Sequence, residues 1–170
     1  MKNKILIFIV FLFIQLFVIN KIIFFSFFVL SPLIFILLLY SYKKDSIENL
    51  LFAFFLGLLV DVFNDSLGVY SMTSIVIVYF RNFWVLKIIG EERIDELDEI
   101  SVHELGNIQY FIYSFPILLV YFSLLIILES SSIFILQNVF FILFSSSLNY
   151  LFMLLFQYLF LESKLRDEWG

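Results

Sequence analysis

LLFAFFLGLLVDVFNDSLGVYSMTSIVIVYF, residues 50–80, decides how the rest of the chain is read. Two apolar runs flank Asn64-Asp65-Ser66-Leu67-Gly68, a string with the composition of a tight turn. The stretch predicts two membrane helices joined by that turn. Asp61 lies inside the first run, and a carboxylate in hydrocarbon costs at least ~2.5 kcal/mol on insertion scales, so it needs a partner or a function. Ala53, Gly57 and Asp61 recur every fourth residue and share one helical face. Small residues at that spacing let a second helix approach closely. The face reads as a packing or partner seam with a polar group at its outer end. Gly57, at its centre, should reject leucine, and alanine should be milder, since a methyl still permits close approach.

Outside this stretch the composition is that of a membrane protein. Of 170 residues 63% are hydrophobic and 15% charged, with 25 phenylalanines and a mean hydropathy of +1.07. Soluble domains are about half apolar and roughly a quarter charged. The length allows five or six spans with short loops in one membrane domain, residues 1–170. Cysteine is absent, which excludes disulfides, thiolate metal sites and a cysteine nucleophile. Met1-Lys2-Asn3-Lys4 before an apolar run imitates a signal peptide. Gln15, Phe17 and Ile19 stand where a small-residue cleavage site would be needed, so the run reads as an uncleaved first helix.

Charge-poor runs place six spans near 5–20, 22–42, 47–63, 67–89, 107–128 and 132–160. Ser31-Pro32 breaks the second, since proline suits a first helical turn and serine its cap. A helix from Pro32 to Tyr42 rises only ~16 Å, too short to cross. Residues 22–30 then form a separate kinked or re-entrant piece, or the span continues as one proline-kinked helix. With the N-terminus inside, nine of the ten Lys and Arg residues fall on the inner side and only Lys21 outside. That bias predicts cytoplasmic termini.

Asp61 falls near the outer boundary, where hydroxyls of Ser66, Ser71 and Ser74 or backbone donors of the turn can meet it. Arg81 cannot reach it, being ~20 Å away along the returning helix. Its stem is expected to snorkel toward the inner interface. Asp65, Ser66 and Gly68 read as turn and cap; Asn64-Asp65-Ser66 also matches a glycosylation sequon, to which a short turn at the membrane surface gives little weight. Ser145, Ser146, Ser147 and Asn149 form a polar cluster halfway along the last span, suited to bonds across helices or to a substrate pocket. Glu129 is placed in the outer loop. The acidic stretch 91–104 reads as a solvated linker or as a docking patch for a basic partner, with Ile94, Leu97 and Ile100 spaced for a short amphipathic helix. His103 within it reads as solvated. No metal-ligand cluster, phosphate loop, nucleic-acid patch or nucleophile–base pair is visible, so no cofactor, metal, nucleic acid or catalysis is expected.

Residues 55–83, FLGLLVDVFNDSLGVYSMTSIVIVYFRNF, resemble the middle of the MreD family of bacterial rod-shape-determining membrane proteins. The resemblance is carried by the run from Gly57 through Asp61 to Phe63, by Gly68, and by a second helix closing on Arg81. It covers about a sixth of the chain, with length and helix layout alone supporting it elsewhere. It implies an all-α integral protein of the inner membrane with six transmembrane helices and both termini inside, whose fold is similar to the substrate-binding subunits of vitamin transporters. It further implies a non-catalytic component of the cell-wall elongation complex that scaffolds or regulates peptidoglycan synthesis. MreC is the implied closest partner, beside MreB, RodA and a penicillin-binding transpeptidase, with membrane lipid around it. The competing reading is a small-molecule-binding subunit of a transporter.

Overall fold

Asn64 ends one long helix and Val69 begins the next, so Asp65-Ser66-Leu67-Gly68 is the whole connection between them. The computed structural model describes residues 29–39, 46–97, 100–130 and 136–160. Every element among these is an α-helix: α1 Pro32–Leu39, α2 Ile47–Asn64, α3 Val69–Ile88, α4 Glu91–Glu96, α5 Val102–Leu105, α6 Asn107–Ser130 and α7 Leu136–Phe160. α2, α3, α6 and α7 are each long and apolar enough to cross a membrane. The chain is an all-helical membrane protein. The expected first span, and residues 22–28 and 40–42 of the second, lie outside the described residues. α6 continues past 128, so Glu129 is helical and not part of a loop.

Neighbours in sequence are neighbours in space: α2 packs on α3, α3 on α6, and α6 on α7. Antiparallel pairing follows from the short connections. Against this row lies α1, whose residues from Pro32 to Leu38 are all buried. Its eight described residues rise ~12 Å. It touches α2, α3 and α6, and Phe35 stacks on Phe152 of α7 with centroids 5.5 Å apart. Leu51, Phe55 and Val62 of α2, with Phe140, Phe144 and Leu151 of α7, instead stand exposed, as lipid-facing residues do.

α6 carries Pro116 within the helix, which leaves the Ile112 carbonyl without its main-chain donor. The Trp84 indole N–H of α3 donates to that carbonyl at 3.2 Å. The defect thus becomes a cross-helix tie, since a carbonyl at membrane depth must find some donor. The acidic stretch does more than link: Ile94, Ile100, Val102 and Leu105 are buried against the end of the bundle. Two short helical turns, α4 and α5, take the place of the expected single amphipathic helix because Leu97, Ile100 and Ser101 are not helical.

Candidate functional site

Asp61 serves two helices at once. Its main-chain carbonyl accepts from the Asp65 N–H and, at 3.1 Å, from the Ser66 N–H, closing α2 in the six-to-one manner of a Schellman turn. Asp65 takes the left-handed conformation this needs (φ 53°), which aspartate tolerates better than most residues. The side chain then opens α3. Oδ1 accepts from Ser66 Oγ at 2.6 Å and from the Tyr70 N–H at 2.9 Å; Oδ2 accepts from the Ser71 N–H at 2.8 Å. Gly68, the N-cap of α3, has no side chain for that task. Asp61 supplies it from the preceding helix, setting a negative charge against the positive end of the α3 dipole. Three donors, two of them main-chain, account for a carboxylate that is only 5% exposed. Of the serines expected to meet it, Ser66 uses its hydroxyl and Ser71 its N–H, while Ser74 Oγ is buried without a hydrogen-bond partner.

Those bonds require α2 and α3 to touch. A Cβ built on Gly57 would lie 2.5 Å from Ser71 Cα, 2.6 Å from the Tyr70 carbonyl oxygen and 2.7 Å from Ser71 N. These are main-chain atoms of α3 and cannot swing aside. Alanine is still expected to be milder than leucine, but the expectation that a methyl permits close approach is corrected, because the helices already meet backbone to backbone. Ala53, one turn earlier, is fully buried. Of the turn residues, Asn64 and Ser66 are half-buried, Asp65 is exposed, and Gly68 needs its glycine for φ 85°.

Arg81 does not snorkel. It is 2% exposed, with Nε donating to Tyr113 Oη at 2.8 Å and Nη1 to the Leu37 carbonyl at 2.9 Å. Leu37 belongs to α1, so this bond reaches a third helix. The guanidinium thus joins α3, α6 and α1.

The start of α1 is held by the polar cluster of α7. Asn149 Oδ1 accepts from the Ser31 N–H at 2.9 Å, and Asn149 Nδ2 donates to the Val29 carbonyl at 2.8 Å. Ser145 Oγ accepts from the Val29 N–H at 3.2 Å, and Ser31 Oγ shares a 2.7 Å hydrogen bond with Tyr121 Oη of α6. A carboxamide and a hydroxyl thereby take over the ladder that the non-helical strand Val29-Leu30-Ser31 lacks. Ser147 stands apart, exposed, with its hydroxyl on the Leu143 carbonyl of its own helix. Ser146 Oγ is buried without a hydrogen-bond partner.

A third network seals the opposite end of the bundle. Gln157 Oε1 accepts from the Val102 N–H at 2.8 Å and Gln157 Nε2 donates to Tyr110 Oη at 2.6 Å. His103 Nε2 lies 3.3 Å from the Gln157 carbonyl, and its ring meets Tyr158 edge-on. The expected solvated histidine is instead docked on α7.

Searches against protein-family models, curated proteins and solved structures found no match for this chain. Chemistry is therefore read from the geometry. Among the described residues no group of His, Asp and Glu side chains is placed to hold a metal ion. Asp61, Asn149 and Gln157 each spend their polar atoms on main-chain or hydroxyl partners within the chain, so the three networks position helices. Tyr113, Tyr121, Gln157 and Trp84 escaped the sequence reading. Pro116 offered a signal for one of them: it orphans the Ile112 carbonyl four residues back, and some donor had to answer.

Proposed function

We propose that this chain is an MreD-like, non-catalytic component of the bacterial cell-wall elongation complex, seated in the inner membrane with both termini in the cytoplasm and working as a scaffold beside MreC. The observation that carries the reading is the coincidence of motif and joint. Gly57, Asp61 and Gly68, which bear the resemblance, are the residues that set the α2–α3 crossing, while Arg81 ties α1 to α3. A rigid joint with lipid-facing flanks suits a protein that holds partners in register. Small-molecule binding, the competing reading, asks for polar groups left over to meet a ligand. Asn149, Ser145 and Tyr121 are already committed to the Val29–Ser31 strand, which favours the scaffold.

Co-purification from membranes in mild detergent tests the proposal. The wild-type chain should bring down MreC and restore rod shape to cells lacking their own MreD. Asp61→Leu should lose both. Recovery of a bound small molecule or a transporter subunit in place of MreC would replace this reading with the competing one.

A further inference from the structure

Met72, Val76, Tyr79 and Phe83 are all exposed, and their spacing of four, three and four residues sets them along one stripe of α3. Tyr79 is 71% exposed, and its Oη has no hydrogen-bond partner among the described residues. It lies ten residues from Val69 and nine from Ile88, ~15 and ~14 Å from the ends of the helix. That is the middle of a ~30 Å hydrocarbon layer, whereas tyrosines that meet lipid belong at the level of the headgroups. Hydrocarbon offers a phenol no acceptor, and the rigid ring holds the oxygen away from its own main chain. Ser147 shows the alternative: its short hydroxyl, also exposed, bonds the Leu143 carbonyl of its own helix. The exposed side chains of α2 between Leu51 and Phe63 are all hydrocarbon and raise no such demand.

We propose that the α3 stripe is an interface with a second copy of this chain, α3 lying parallel to α3. Copies of one chain insert the same way, so a two-fold axis between them runs along the membrane normal. Each residue beside that axis then meets its own counterpart at its own depth. The central residue must be complementary to itself, and a phenol is, because its O–H donates while its oxygen accepts. Facing Tyr79 side chains supply each other with the partner that lipid lacks. The four-three-four spacing is also the seam along which parallel helices supercoil, and half-buried Leu86 continues it three residues on. Lys87 falls one place off that seam, with its ammonium 5.7 Å from the Trp84 ring, so the pairing does not set like charges face to face.

This dimer requires a membrane around the chain and nothing of the cell-wall reading. Because the chain has no cysteine, single cysteines can be placed in the full-length protein and oxidised in cell membranes. Met72→Cys, Val76→Cys, Tyr79→Cys and Phe83→Cys should give disulfide-linked dimers. Phe55→Cys on α2 and Phe140→Cys on α7, equally open to lipid, should give background only. In vesicles, energy transfer between labelled copies reads the dimer constant. Tyr79→Phe should weaken it about three-fold, the average worth of one hydrogen bond between membrane helices. Tyr79→Gln, whose amide also donates and accepts, should keep it. Dimers as abundant from Phe55→Cys as from Tyr79→Cys overturn the proposal. So does a Tyr79→Phe chain that pairs as tightly as wild type. Cross-links from the stripe to a different protein overturn it as well, and give the face to that protein.

Discussion

The α2–α3 joint and the break before α1 face the same problem, main-chain groups with no helical partner at membrane depth, and solve it over different distances along the chain. At the joint, Asp61 reaches donors five, nine and ten residues away. At the break, the Val29–Ser31 strand depends on Ser145, Asn149 and Tyr121, between 90 and 120 residues away. The first solution is complete once a helical hairpin exists. The second exists only after α6 and α7 have packed around α1. A hairpin can therefore supply a preformed unit, and the entrance of α1 can be fixed only by the assembled bundle.

The largest effect should come from attacking the joint sterically. Gly57→Leu should abolish folding, and Gly57→Ala should already cost about 1–3 kcal/mol or more, because a methyl at 2.5 Å from Ser71 Cα forces α2 and α3 apart. Thermal unfolding in detergent would measure it. An alanine variant as stable as wild type would mean that the helices can slide without loss.

Next comes the break. Asn149→Leu orphans the Ser31 N–H and the Val29 carbonyl together, at about 1–3 kcal/mol each. Asp61→Leu orphans the Tyr70 and Ser71 N–H groups at a similar cost per group. Hydrogen exchange should tell the two apart. Asp61→Leu should unprotect Tyr70 and Ser71 and leave Ser31 protected, whereas Asn149→Leu should do the reverse. Loss of protection at both places in either variant would show that joint and break form one cooperative unit, and the contrast between them would collapse.

Asp61→Asn should fall between wild type and leucine. Its oxygen can keep Ser66 Oγ and the Tyr70 N–H, but its NH2 then points at the Ser71 N–H, donor against donor, losing about 1–3 kcal/mol. Stability equal to wild type would mean that charge and second oxygen are both dispensable. Trp84→Phe should be the mildest change. It unpairs one partly exposed carbonyl, that of Ile112, for about 0.5–1.5 kcal/mol, read as a small drop in unfolding temperature.

Much of the joint was legible because its determinants sit close together. Periodicity placed Ala53, Gly57 and Asp61 on one face, and the polar string after Asp61 dictated where the chain turns back. The sequence offered nearby hydroxyls or backbone donors of the turn as partners for the carboxylate; Ser66 supplies its hydroxyl, whereas the first-turn N–H groups of α3 do most of that work, since Gly68 cannot cap its own helix. The misreadings were of another kind. Arg81 was assigned to the interface and His103 to solvent, because a sequence shows a charge or a ring without the Tyr113, Leu37 or Gln157 groups that receive it.

By itself, then, the sequence determined the membrane class, four helices long and apolar enough to cross, the turn between α2 and α3, the inward seam, and the Ser31-Pro32 break. All of these follow from composition, helical period and turn chemistry over a dozen or so residues. Only the tertiary structure decided that α1 is buried on every side, that Asn149 clamps its entrance while Arg81 bonds its Leu37 carbonyl, and that Gly57 has no room for a methyl. Lipid is as apolar as leucine, so hydrophobicity cannot say which helix faces meet. That choice belongs to close packing and to the pairing of the few polar atoms at depth, and both arise between residues far apart in the chain.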